Sequence, residues 1–388
     1  MHSISVLDTT LREGEQTPGV YFDRHIKTAI VDLLNRIGVD LIEAGHPAVT
    51  EEIHATVAQL GAMGGKARIG AHARSLRADV DMALDCGVGL IGVFYCVSQS
   101  RLEHHGKNID TALAMIADTI SYARQQAPDV LIRYTPEDAV RSSYNHVLLA
   151  SRTAVEAGAD IISIADTTGY LVPGTPRNMF DFLSRLKKDL RKLGFEPRFA
   201  VHCHNDRGLA LANALDSIRA GAQIVDASVL GLGERAGIVD LASLLAVLSE
   251  LPGNEDRWNL ELVPELYSLV ARFSGVQIPP HQPITGQNAF THCAGVHTQA
   301  ALTNPAHYES LSPQRFGRST EICLDHMSGI SALEHSLKMA DIPIQSSGQL
   351  KALLKRIKHI GMKGRKVDLD ELKHLVNSDS NQLVTSIN

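Results

Sequence analysis

A chain of 388 residues, 44% hydrophobic and 21% charged, has the composition of a globular protein able to bury a large core. Its net charge of −6, with both signs interspersed, offers no basic footprint for nucleic acid, and no apolar stretch approaches the ~18 residues that a membrane span needs. The cysteines, Cys86, Cys96, Cys203, Cys293 and Cys323, are odd in number and lack a C-x-x-C spacing. That argues against a disulfide framework, and with no export signal before the first strand-like run a cytoplasmic protein is expected.

Residues 3–7 alternate as a strand and run into a polar loop, DTTLREGEQ, at 8–16. A helical period covers 23–37, a second strand 39–45, a helix 50–63 and a third strand 67–72. Strand-like runs recur at 89–95, 130–134, 161–166, 199–204 and 224–229, most of them separated by an amphipathic segment of helical length. Strands alternating with helices in this number predict an α/β fold, a (β/α)₈ TIM barrel. The competitor is an open doubly wound sheet, which would more often carry GxGxxG after its first strand; that motif is absent.

After GLGERAG at 231–237 the alternation stops. Residues 260–275 read as an amphipathic helix, PPHQP at 279–283 as a stiff extended connector, and 329–375 as a mostly helical tail. The last residues, 378–388, are polar and expected to fray. The expected domains are a catalytic barrel at 1–275 and a linker with a helical C-terminal subdomain at 276–388. The latter is too small and interrupted for a large core, so it is expected to pack on a barrel, its own or a partner's.

Polar residues gather where the strands end: Arg12 and Glu13 after the first, Glu43 after the second, His72 after the third, Arg133 and Thr135 after the fifth. Asp166 and Thr167 end the sixth, and His202 and His204 the seventh. In a barrel all of these converge on one mouth, where such folds carry chemistry. His202 and His204 share a strand face, whereas Cys203 points the other way, into the core. A lone His-x-His is more often a pair of solvent-facing histidines. With Glu13 it becomes two imidazoles and one carboxylate with open positions, which describes a catalytic metal site rather than a closed structural one. These ligands suit magnesium, manganese, zinc or cobalt.

The three motifs DTTLREGEQ, HCHND at 202–206 and GLGERAG, in that order, resemble the homocitrate synthase and 2-isopropylmalate synthase family of metal-dependent, Claisen-type acyltransferases, the pattern being nearest to homocitrate synthases. The resemblance runs through about residue 340. It implies that a 2-oxo acid chelates the metal held by Glu13, His202 and His204, and that acetyl-CoA is the co-substrate. It further implies that Arg12 stabilises the developing alkoxide, that Gln16 belongs to the substrate pocket, and that Thr167 binds the substrate's first carboxylate. Gly231, Gly233, Glu234 and Arg235 would lie against acetyl-CoA. His297 matches the family's candidate base, with Tyr308 and Glu137 as its polar partners. In the family that histidine and tyrosine enter from the neighbouring subunit, which implies a homodimer with a swapped C-terminal region.

Isopropylmalate synthases carry an apolar residue where this chain has His72, and homocitrate synthases a histidine that meets the distal carboxylate of 2-oxoglutarate. His72 with Arg133 and Thr135 therefore reads as a pocket for a second anionic group, which an alkyl substrate would leave unpaired. Homocitrate formation followed by hydrolytic release of CoA is favoured. The alternatives are 2-phosphonomethylmalate synthesis from phosphonopyruvate, 2-isopropylmalate or citramalate synthesis, and a metal-dependent lyase acting on a hydroxymethylglutaryl-type thioester. Gly92 and Ala200 stand where lysine-inhibited homocitrate synthases carry acidic residues, so lysine feedback is not expected.

Overall fold

The structure, a computed structural model, describes residues 4–343 and 346–385. The chain divides into two compact units, Met1–Ile278 and Pro279–Asn388.

In the first unit the strands are β1 (Ser5–Asp8), β2 (Leu41–Glu43), β3 (Arg68–Arg74), β4 (Leu90–Cys96), β5 (Leu131–Glu137), β6 (Ile161–Asp166), β7 (Arg198–Cys203) and β8 (Ile224–Ala227). Each pairs in parallel with the next, and β8 pairs with β1, so the eight close into the expected barrel. Several of the intervening helices start where a side chain satisfies a free backbone N–H group. Asp23 caps α1 (Arg24–Ile37), Thr50 caps α2 (Glu51–Ala62) and Asn178 caps the helix Met179–Lys192. Helix α1 ends at Gly38, whose φ of 99° only glycine adopts without strain.

What positions the chemistry is the layering inside the barrel. Leu7, Leu41, Leu90, Ile161, Ala200 and Ile224 form an apolar floor with Leu131 packed against it. Because strand side chains repeat every second residue, the next inward positions are Thr9, Glu43, Gly92, Arg133, Ser163, His202 and Asp226. A polar layer is thus stacked on an apolar one by the strand period alone. His72 and Arg133 do not end their strands, as the sequence suggested. Strand β3 continues to Arg74 and β5 to Glu137, and Arg133 is the third residue of β5, deep in the barrel. Cys203 is buried, and desolvation pushes its thiol well above the usual range, as suits a core residue.

The second unit corrects two further expectations. It has its own core, Leu324, Ala332, Leu333, Leu337, Leu350, Leu353, Ile357, Val367 and Leu372, drawn from the helices Ile330–Met339, Ser347–Gly361 and Leu369–Thr385 and the segment before them. The stretch PPHQP is no extended connector. Gln282 N donates to Pro279 O (2.9 Å) and Asn288 N to Pro280 O (2.7 Å), so the chain turns back on itself. Arg318 fastens the turn by donating to the carbonyls of Ile284, Thr285 and Gly286. Backbone helix continues through Thr385, where fraying was expected from 378; residues 386–388, and Ser3 of the expected first strand, lie outside the described residues. Among the described residues no helix is long and apolar enough to cross a membrane.

Candidate active site

The barrel mouth encloses a cavity of about 480 Å³. It brings together Arg12, Glu13, Gln16, His72, Arg133, Thr135, Glu137, Thr167, His202, His204, Glu234 and Arg235, residues spread over 224 positions that the strand ends gather. Gly231 and Gly233 do not line it and act through close backbone approach. A Cβ on Gly233 would lie 3.0 Å from Glu13 Oε1, and Glu234 N donates to that oxygen (3.1 Å). The GLGERAG loop therefore fixes Glu13 in place. Arg235 ties the loop to Asp206 (2.7 and 3.0 Å) and to the Thr167 carbonyl (2.7 Å).

Ligand atoms of Glu13, His202 and His204 all lie within 4.8 Å of one another. His202 Nε2 and His204 Nε2 are 3.3 Å apart, and each is 3.9 Å from a Glu13 oxygen. Ligands about 2.1 Å from a central ion stand about 3.0–3.4 Å apart, so the three groups are nearly at coordination spacing. Their protonation fits as well. Asp226 is kept below the usual carboxylate range: burial raises it, but Arg133 and His202 outweigh burial. His202 Nδ1, 3.0 Å from this ionised carboxylate, must carry a proton, which leaves Nε2 as the free lone pair. Burial, followed by His202, lowers His204 to about 4, so it is a neutral imidazole at ordinary pH. Two imidazole nitrogens facing each other beside an ionised carboxylate, with His204 Nδ1 buried and unpartnered, is an arrangement that a divalent cation would satisfy.

Two buried carboxylates organise the rest. Glu43 Oε2 accepts from Arg12 Nε (2.5 Å) and Thr9 Oγ1 (2.8 Å), and its Oε1 faces His72 Nδ1 at 3.0 Å. Burial opposes its ionisation, yet Arg12, His72 and Arg133 hold it well below the usual range. Asp226 accepts both terminal nitrogens of Arg133 (3.0 and 2.5 Å) besides His202, and Arg133 also donates to Ser163 Oγ (2.6 Å). Arg12 pairs in addition with Glu13. The expectation that an alkyl substrate would leave His72 and Arg133 unpaired is thereby corrected: both already have partners inside the barrel. Gly92 is required by this packing, since a Cβ there would lie 3.2 Å from Glu43 Oε1 and 3.4 Å from His72 Nδ1. An acidic side chain at that position would stand against Glu43.

Sequence reasoning placed Glu43 at the mouth without a specific role, passed over Asp226, and missed His46, whose ring stands 5.8 Å edge-on to His72. The signal for the first two was available: each lies two residues beyond a floor residue, Leu41 and Ile224. Glu137, at the end of β5, pairs with Arg101. In the second unit His297 and Tyr308 come together, ring centroids 4.2 Å apart, and His292 Nε2 lies 3.1 Å from Glu309 Oε1.

The barrel that carries this trio matches the model of the HMGL-like family over residues 3–270, and the family described as homocitrate synthase post-HMGL domain-like matches 284–365. Solved hydroxymethylglutaryl-CoA lyases share the fold: that of Pseudomonas aeruginosa has a TM-score of 0.60 at 21% identity, covering 71% of this chain and 94% of its own, and that of Brucella melitensis 0.58 at 20%, covering 71% and 100%. A homocitrate synthase of Pyrococcus abyssi is 40% identical over 354 residues, 91% of this chain and 94% of the relative. One of Saccharolobus solfataricus is 39% identical over 363 residues, 92% and 76%. The chain belongs to the homocitrate synthase family.

The DTT segment that leads into the site generates a pH test. Asp8, fully buried at the end of β1, accepts from Thr10 N (3.0 Å) and Thr10 Oγ1 (2.9 Å), and Thr10 in turn accepts from Val229 N beyond β8. Burial raises the Asp8 carboxyl to about 7 despite these bonds. The folded state then holds a proton that the unfolded chain has released, so this group's stabilisation is complete below about pH 4 and is lost as pH rises to about 7. Asp8→Asn should therefore gain stability relative to the native protein as pH rises from about 5 to about 8, as read by urea unfolding. A pH-independent difference between the two would contradict the assignment.

Proposed function

We propose that this chain condenses acetyl-CoA with a 2-oxo acid carrying a second anionic group, favouring 2-oxoglutarate and yielding homocitrate, and then releases CoA by hydrolysis. The observation that carries the reading is the polar layer in which Arg133 and His72 face the same cavity as the metal-competent trio. Membership of the homocitrate synthase family supports it. The match of residues 284–365 to a homocitrate synthase post-HMGL domain favours a synthase over a lyase.

A divalent ion on Glu13, His202 and His204 would polarise the keto group of the 2-oxo acid as a Lewis acid. Arg12, locked between Glu13 and Glu43, presents a fixed positive charge where negative charge develops on the keto oxygen. Gln16 and Thr167 line the cavity, and Thr167, whose hydroxyl already accepts from Asp138 N (2.9 Å), would hold the first carboxylate. Arg133, Thr135 and His72 receive the distal group. Backbone of the GLGERAG loop, with Glu234 and Arg235, borders the acetyl-CoA end. His297, with Tyr308 and Glu137 as polar partners, removes a proton from the acetyl methyl group. The resulting carbon nucleophile attacks the keto carbon, the former keto oxygen takes up a proton, and water cleaves the thioester to release CoA and a new carboxylate. His297 and Tyr308 act on the barrel of a neighbouring subunit, in a cytoplasmic homodimer.

His204→Ala should lose metal and activity together, because two remaining protein ligands hold such ions weakly; full metal content by elemental analysis would remove His204 from the ligand set. Substrate choice is read by CoA release with a thiol reagent over 2-oxoglutarate, phosphonopyruvate, oxaloacetate, pyruvate and 2-oxoisovalerate. Since His72 and Arg133 are already partnered, discrimination rests on the bonds the anion gains. The kcat/KM for 2-oxoglutarate should exceed that for 2-oxoisovalerate by about a hundredfold or more. Preference for 2-oxoisovalerate or pyruvate would refute the acidic pocket, and preference for phosphonopyruvate would change only the substrate's name.

Assembly has its own test. Co-expressed His297→Ala and Glu13→Ala chains, each inactive alone, should recover part of the activity in verified heterodimers. No recovery would mean that His297 serves its own barrel or is not the base.

A further inference from the structure

His72 is held on three sides. Its Nδ1 lies 3.0 Å from Glu43 Oε1, its face stacks on Phe94 at 4.6 Å and 13°, and the His46 ring meets it edge-on at 5.8 Å and 81°. His46 is itself fixed by Asp79 (3.1 Å), which Arg74 grips with two nitrogens (2.7 and 2.9 Å). Turning the ring over would put a carbon against Glu43, so the orientation is set. The other Glu43 oxygen takes hydrogen bonds from Arg12 and Thr9, which marks the carboxylate as ionised. An ionised oxygen at 3.0 Å requires a proton on Nδ1. In a neutral ring Nε2, the nitrogen left for the cavity, is then a lone pair.

A lone pair cannot bind a carboxylate, because both are acceptors. We propose that His72 reads the second anionic group of the 2-oxo acid only as an imidazolium, so that 2-oxoglutarate binding draws a proton from solvent onto Nε2 and pyruvate binding does not. The inference rests on the function proposed above and adds the protonation state that makes the pocket selective. The step balances simply: a solvent proton forms the Nε2–H bond, that bond donates to the incoming carboxylate, and nothing is oxidised or reduced.

The groups around the ring agree. Arg12 from the loop after β1, Arg133 from β5 and His46 from the loop after β2 disfavour or do not assist a further positive charge, and only Glu43 from β2 favours one, its own charge shared with Arg12; Phe94 from β4 contributes a ring without charge. Burial, with Arg12, lowers His72 to about 4 against the pull of Glu43. Ligand-free His72 is thus neutral at ordinary pH, and the arriving anion supplies the second negative neighbour that stabilises the cation. Selectivity follows from this: an alkyl end meets a neutral imidazole and an Arg133 already balanced by Asp226, while an anion recruits its own cation.

The test is calorimetric titration of the metal-loaded protein at about pH 7 in buffers of different ionisation enthalpy, with 2-oxoglutarate and with pyruvate. Both ligands present the same 2-oxo acid end, so proton changes at the metal cancel in the difference. Uptake with 2-oxoglutarate should exceed that with pyruvate by about one proton, and its Kd alone should weaken by up to tenfold per pH unit between about pH 6 and about pH 8. His72→Gln donates an N–H without titrating. Checked for metal content and circular dichroism, it should bind 2-oxoglutarate with no excess uptake and a flat pH profile. Turnover of 2-oxoglutarate with no excess uptake in the native protein would overturn this proposal and leave the function standing. Failure of 2-oxoglutarate to bind or react would overturn both.

Discussion

The site depends on two carboxylates that touch neither metal nor substrate in the scheme above. Glu43 joins Arg12, at the reacting end of the cavity, to His72 at the distal end, and Asp226 joins His202 to Arg133 in the same sense. Both are almost wholly buried. Burying a charge costs several kcal/mol, and here each anion recovers that cost only because its oxygens are shared between two basic groups. Removing Asp226 would leave Arg133 buried without a carboxylate, a change of roughly 3–5 kcal/mol by precedent for buried pairs, whereas removing Glu43 would leave Arg12 with Glu13 alone. The two ends of the pocket are therefore built as one network, and geometry at the metal is not independent of geometry at the distal group.

That network stands on the apolar floor. A strand's two-residue period places each polar residue directly above an apolar one, Leu131 under Arg133, Ala200 under His202, Ile224 under Asp226. The floor excludes water from below, so the charges above interact in a poorly screened medium. Ala200 belongs to this floor and Gly92 to the tight contact between Glu43 and His72. The small size of Gly92 has a packing reason in this chain, independent of any regulatory ligand.

The barrel was legible because its strands repeat a strong pattern, and the grouping of Glu13, His202 and His204 because His-x-His and the residue after Leu11-Arg12 sit at strand ends that a barrel must gather. Asp226 was overlooked because a single aspartate inside Ile-Val-Asp-Ala reads as an interruption of a buried strand. Only its offset from Ile224 reveals the face. Arg133 was found, but its partner was not: a long side chain reaching across the barrel to a residue 93 positions away leaves no local trace. The second unit's core escaped notice for a related reason. Leu324 and Val367 meet through a bridge between segments far apart in sequence, and neither segment is apolar enough to announce itself. Pro-rich composition likewise suggested an extended connector, because the hydrogen bonds from Arg318 that fold it into a turn come from 32–34 residues downstream.

The claim that the distal end of the cavity is built for an anion can be isolated from catalysis and from acetyl-CoA. Glutarate and valerate have the same carbon chain and one carboxylate in common, and differ in whether the far end is a carboxylate or a methyl group. Measured as competitive inhibitors against 2-oxoglutarate at about pH 7, glutarate should bind at least about tenfold more tightly than valerate, the margin expected from one charge-assisted hydrogen bond gained. Equal inhibition constants, or tighter binding of valerate, would contradict the account.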